Sequence, residues 1–84
     1  MKNKDVTRLF MCGQEANTLH LHSTGDKLFS YHTCIAQHCG EDIIGNATKY
    51  SSTTSHHLRY IRGYITIWTT KQVPYNTQSL IPYL

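Results

Sequence analysis

Asn46-Ala47-Thr48-Lys49-Tyr50-Ser51-Ser52-Thr53-Thr54-Ser55-His56-His57 is a run of hydroxyl residues around one aromatic, and it feeds straight into apolar residues at helical spacing. Leu58, Ile61 and Ile65 fall at i, i+3 and i+7, one face of a helix. Ser52, Thr53 or Thr54 is expected to cap it, because a short side-chain oxygen accepts an orphan backbone N–H of the first turn. Gly63 is the expected stop, since a left-handed residue after the last turn is least strained as Gly. The stretch therefore predicts a short helix over roughly residues 53–62, with Arg59 and Arg62 in its last turns, where the dipole favours cations. Two readings fit the hydroxyls: an elaborate helix start, or a hook for a phosphate or a partner loop.

Working outward, Asn46, Tyr50, Ser51, Thr53, Thr54, Ser55 and His57 resemble a motif of small bacteriophage proteins, Asn-x-x-x-Tyr-Ser-x-Thr-Thr-Ser-x-His. Leu28-x-Ser30-Tyr31-x-Thr33-x-Ile35-Ala36 upstream and Val73-Pro74 downstream are similar to the same family, so the resemblance spans roughly residues 19–75. Small phage proteins of this size include inhibitors of host defence, anti-CRISPR proteins among them. The resemblance implies a fold family and a phage setting, and it places no catalytic role on any residue.

The 84 residues suffice for one small domain spanning 1–84. A domain of this length buries only about 60–65% of its extended-chain surface, so its stability is marginal without help. The charged fraction is 15%, below the roughly 25% of an ordinary domain, and nine aromatics supply large buried areas. That excludes a disordered chain. No apolar run is long enough for a membrane span, and Met1-Lys2-Asn3-Lys4-Asp5 is not followed by the apolar core of a signal peptide. The expected location is the cytoplasm of an infected bacterial host, where Cys12, Cys34 and Cys39 stay reduced.

Charge is uneven. Up to Thr48 there are four basic and five acidic residues, a balance of −1; from Lys49 onward there are four basic residues and no acid, a balance of +4. The carboxyl half presents a positive field to acidic partners.

Along the chain, residues 6–12 read as a first strand, 13–17 as a connection, and Thr18 to His22 as a strand with Leu19 and Leu21 on one face and His20 and His22 on the solvent face. Residues 23–26 read as a turn and 27–35 as a third strand, completing an antiparallel meander. Residues 36–40 break the pattern, 42–45 add a short strand, and 64–70, rich in β-branched and aromatic residues, read as a strand after the helix. Val73-Pro74 ends regular pairing, leaving a tail that packs as an irregular strap. The expected fold is a small α+β domain with an antiparallel sheet of three to five strands and one short helix.

Three Cys and six His invite a structural zinc reading. In the expected meander Cys12, His32 and Cys34 gather at one end and Cys39 folds back to them, with His38 as substitute for His32. Four such ligands would close a tetrahedral site and relieve the small-core problem. The competing reading is that free Cys packs as a small hydrophobe. There is no Gly-rich phosphate loop, no His-Glu-x-x-His and no nucleophile elbow, so no enzyme is expected.

The resemblance and size together point to a phage-encoded inhibitor of a host defence complex, most concretely an anti-CRISPR that binds an RNA-guided nuclease stoichiometrically. Arg59, Tyr60 and Arg62 are the expected contact residues, because Arg and Tyr are enriched among binding hot spots. The alternative is a small nucleic-acid-binding phage regulator that stacks bases on Tyr50, Tyr60, Tyr64, Trp68 and Tyr75.

Overall fold

The computed structural model describes residues 2–48, 50 and 52–84. Lys49 and Ser51, both within the hydroxyl-rich stretch, lie outside the described residues. The chain runs α1 (Asn3–Met11), β1 (Glu15–Asn17), β2 (Leu21–Thr24), β3 (Lys27–Ser30), β4 (Thr33–Cys39), β5 (Asp42–Gly45), α2 (Ser52–Arg59) and β6 (Ile67–Trp68), with 3₁₀ turns at Arg62–Tyr64 and Ile81–Tyr83. The strands form one sheet in the order β1-β2-β3-β4-β5-β6. All neighbours are antiparallel except β5 and β6, which α2 joins in parallel. The fold is α+β as expected, with one strand and one helix more than the sequence reading allowed among the described residues.

The extra helix replaces the expected first strand. Val6 and Phe10, one turn apart, are both fully buried, so the apolar run 6–12 has helical rather than strand periodicity. Its start is fixed by Asp5, whose carboxylate accepts the Lys2 backbone N–H at 3.1 Å and sits favourably in the first turn. Its end is fixed by Gly13 at φ +74°. The Gly13 N–H donates to Phe10 O at 2.9 Å and the Gln14 N–H to Leu9 O at 2.8 Å, the paired bonds of a Schellman stop.

Two further boundaries move. Thr18 to His20 form the β1–β2 turn, closed by the Thr18 N–H donating to Leu21 O at 2.7 Å. Leu19 is consequently 89% exposed rather than facing the core beside Leu21, while His20 and His22 are exposed as expected. The long strand expected over 27–35 is split by a turn at Tyr31 (φ +58°). Instead of breaking after residue 35, β4 continues to Cys39, and its turn into β5 centres on Gly40 (φ +61°). After α2 only Ile67–Trp68 pair as strand; residues 62–64 form a 3₁₀ turn, and Gly63 keeps an ordinary negative φ, so it is not the helix stop.

Residues 33–37 of β4 are buried without alternation, because both faces of the sheet are covered. On one face α1 and the end of α2 bury Val6, Phe10, Leu21, Leu28, Ile35 and Ile61, with Leu58 and Ile65 packed beside them. On the other, the tail covers Cys34 and Ile44 with Val73 and Leu80. The tail is pinned by the Cys34 N–H donating to Thr77 O at 3.0 Å, the Asn76 N–H to Thr33 Oγ1 at 2.9 Å and the Leu80 N–H to Gln37 Oε1 at 2.8 Å. No helix of the described residues is long and apolar enough to cross a membrane.

If the strap is core rather than trimming, Leu80→Ala should lower unfolding free energy by about 2–5 kcal/mol, the range for deleting a buried Leu. The urea midpoint checks it; an unchanged midpoint would show that the second face does not need the strap.

Candidate functional site

Asn46 is 1% exposed and saturated with hydrogen bonds. Its backbone N–H donates to Ile35 O at 3.0 Å, its Nδ2 to Cys34 O and to the Tyr50 hydroxyl, each at 3.0 Å, and its Oδ1 accepts the Thr48 N–H at 2.9 Å. Tyr50 then donates its hydroxyl to Val73 O at 2.6 Å, and Thr48 Oγ1 accepts the Val73 N–H at 2.9 Å. Burial pushes the Tyr50 hydroxyl above its ordinary pKa, so it remains the donor that Val73 needs. The first half of the motif therefore brackets β4, the loop before α2 and the strap.

The second half anchors α2. Ser52 is the first described residue of the helix, Thr53 is exposed and Thr54 is buried within it; none of the three is in the flanking position of a cap. Ser30 Oγ of β3 lies 2.7 Å from His57 Nδ1 and 3.4 Å from Thr54 Oγ1. Ser30 and His57 are both almost fully buried, so this Ser–His contact is a tie between helix and sheet with no access for a substrate. His57 is held below the ordinary histidine pKa, first by burial and then by the neighbouring His56 and His20.

The expected contact residues lie where α2 ends. Arg59 and Arg62 are exposed while Ile61 between them is fully buried. The Arg62 guanidinium carbon stands 5.8 Å from the Trp68 ring centroid. Tyr60 is partly exposed, its hydroxyl 3.2 Å from His56 Nε2. The fold adds residues the sequence reading missed. A groove of about 280 Å³ runs between α1 and the segment after α2, lined by Lys4, Thr7, Arg8 and Met11 on one side and Tyr60 and Tyr64 on the other. Lys4 and Arg8 were counted in the half of the chain with net negative charge; once residues 3–11 are helical, a four-residue spacing puts both on one side. Asp5 is 3.8 Å from Arg8 in an exposed pair, a geometry worth about 0–1 kcal/mol, and it does not line the groove. The aromatics expected to stack bases do not form one platform: Tyr50 packs in the second core cluster and Trp68 is half-buried, whereas Tyr64 and Tyr75 are exposed.

The four expected zinc ligands are not brought together. Cys12 follows the end of α1 beside Gly25, His38 and Gly40, at the end of the sheet where Cys39 pairs with Asp42. His32 is exposed in the β3–β4 turn at the other end. The extended β4 strand, despite an irregularity at Ile35, separates Cys34 from Cys39 by five residues, about 16 Å at strand rise, whereas ligands of one zinc lie roughly 2.0–2.3 Å from it. The fold-back expected of Cys39 is thus prevented by β4 pairing through to its end. His38 Nε2, 2.6 Å from Phe10 O, stacks its ring on Phe10 at 4.4 Å. Among the described residues no group of three or more His, Cys, Asp or Glu is placed to hold a metal. Cys34 donates its thiol to Ala36 O at 3.3 Å in the core, and burial pushes its pKa up to about 12.

A family of unknown function (DUF8033) matches residues 4–77. The chain belongs to that family. No curated protein and no solved structure matches it. The DUF8033 match runs from α1 to the strap residue that bonds Cys34, so the first core and the hydroxyl-rich bracket fall inside it, while Leu80 of the second core lies beyond it.

Two outcomes are expected. Native alkylation with iodoacetamide should modify Cys12 and Cys39, which are exposed, and spare Cys34 until the chain is unfolded; rapid modification of all three would refute the buried placement. Second, stability should be highest above the ordinary histidine pKa and fall as pH drops below about 6.5, because the unfolded chain takes up a proton that folded His57 resists. Melting temperatures from pH 7.5 to 5 should fall less steeply for His57→Gln, which cannot titrate; equal slopes would remove His57 as the cause.

Proposed function

We propose that this chain is a small phage-encoded binding domain that inhibits a host defence complex by occupying a surface, with an RNA-guided nuclease as the first target. The support for the phage setting is the resemblance of the Asn46–His57 motif to small phage proteins. The observation that carries the binding reading is the groove between α1 and the end of α2, where Lys4 and Arg8 face Tyr60 and Tyr64. Exposed cations beside exposed aromatic rings suit an acidic partner: the charges steer the encounter and the rings supply rigid contact area. Arg59 and Arg62 extend the positive side beyond the groove. A domain of 32 × 28 × 21 Å has room for a standard contact of about 800 Å², enough to obstruct nucleic-acid loading or a domain movement. Inhibition of this kind is stoichiometric. A zinc on Cys12, His32, Cys34 and Cys39 has no part in this proposal.

The test is titration against RNA-guided nucleases of candidate bacterial hosts. Cleavage should stop near equimolar inhibitor, and Arg8→Glu with Arg59→Glu should weaken inhibition by about thirtyfold or more, the effect of losing a hot-spot contact of roughly 2 kcal/mol, with the melting temperature little changed. Full cleavage at large excess refutes the target. Direct binding to single-stranded nucleic acid that fades steeply with salt would instead place the chain among nucleic-acid binders.

A further inference from the structure

The hydroxyl-rich bracket also borders a cleft that the docking groove does not use. It lies between α2 and the sheet, has a volume of about 270 Å³, and is floored by Ile35, Leu58 and Trp68. Thr54 and Ser55 line it and Arg62 brings a cation; among its described lining residues there is no carboxylate. The size falls just under the roughly 300–1,000 Å³ of sites for drug-sized ligands, so its occupant is smaller than that. The guanidinium carbon stands over the Trp68 ring, 5.8 Å from its centroid, and a guanidinium offers a planar fork of donors that fits a carboxylate. Among the described residues Arg62 forms no ion pair.

Among the described lining residues one planar cation stands above an apolar floor, which matches a ligand with one planar anion and an apolar body. Against Arg62 alone, the one cation among the described lining residues, a doubly charged phosphate would carry one charge unmatched in a partly enclosed site, which is costly. We infer that this cleft binds a small monocarboxylate with an aromatic or branched apolar body. Arg62 pairs with the carboxylate, and Trp68, Leu58 and Ile35 cover the body. The inference shares Arg62 with the docking reading but uses neither α1 nor the groove beside it.

The chain has one tryptophan, and it lines the cleft, so its fluorescence reports occupancy directly. N-acetylphenylalanine should give a saturable fluorescence change, and the uncharged N-acetylphenylalaninamide should bind about tenfold or more weakly, the loss expected for one charge-assisted contact. Arg62→Gln should abolish the difference between acid and amide, while Arg62→Lys, which keeps the charge and loses the fork, should fall between. Arg8→Glu with Arg59→Glu should bind the acid as the parent does, which separates this result from any failure of nuclease inhibition. Amide-resonance shifts on adding the acid should centre on Ser55, Leu58 and Trp68. No saturable change, equal affinity for acid and amide, tighter binding of inorganic phosphate, or shifts centred on Tyr64 would each overturn the assignment.

Discussion

Everything in this fold converges on the buried amide of Asn46. A primary amide has two donors and an acceptor that takes two bonds, and burying it unpaired costs several times what one good hydrogen bond returns. Here the donors close on a β4 carbonyl and a tyrosine hydroxyl, and the acceptor closes the loop back on Thr48. Three segments distant in sequence are thereby held in one register. Remove the amide and the Cys34 carbonyl and the Tyr50 hydroxyl are left in a region where water has little access. This is why a run of polar residues, which reads as surface, belongs to the interior architecture.

That reassignment changes where function is to be sought. The motif most suggestive of a binding hook has most of its mapped polar groups engaged within the chain: Asn46, Thr48 and Tyr50 on the strap and β4, His57 on Ser30. Ser52, Thr53 and Ser55 of the stretch stay exposed, but the cations and rings that face solvent come from elements flanking it, namely the cations of α1, the rings of Tyr60 and Tyr64, and Arg62 over Trp68. Membership of DUF8033 is consistent with a motif that a fold needs, whatever surface the individual chain presents.

Much of this was legible in the sequence, and the failures have physical causes. The strand over 42–45, a helix within the hydroxyl run, the strap, the burial of Ile61 with Leu58 and Ile65 partly buried beside it, and the exposure of Arg59 and Arg62 follow from local pattern, although α2 ends before Ile61 and Ile65. The first helix was missed because Val6, Leu9 and Phe10 make a short apolar run that suits either element. The deciding signals, Asp5 at its third position and Gly13 at its stop, weigh little without tertiary context. Leu19 alternates with Leu21 but lies in a turn, and alternation cannot see a turn that side-chain hydrogen bonds create. β4 was cut short because burial on both faces removes the alternation that identifies a strand. The groove was invisible because its two sides come from residues 4–11 and 60–64, and the cysteines seemed to converge only because residues 6–12 read as a strand of the meander and β4 as ending before Cys39.

The strap has a consequence for how the chain is made. The face of β4 and β5 that carries Cys34 and Ile44 is covered by residues 73 to 80, which leave the ribosome about forty residues after β4 does. At a translation rate of about 5–20 residues per second this is a delay of roughly 2–8 s. During that interval a nascent sheet has an apolar side with nothing to lie against it, and two short strands at its margins. A stop codon or frameshift anywhere before Val73 would freeze that interval permanently. Such a product would be a substrate for chaperones and proteases, not a weaker version of the protein.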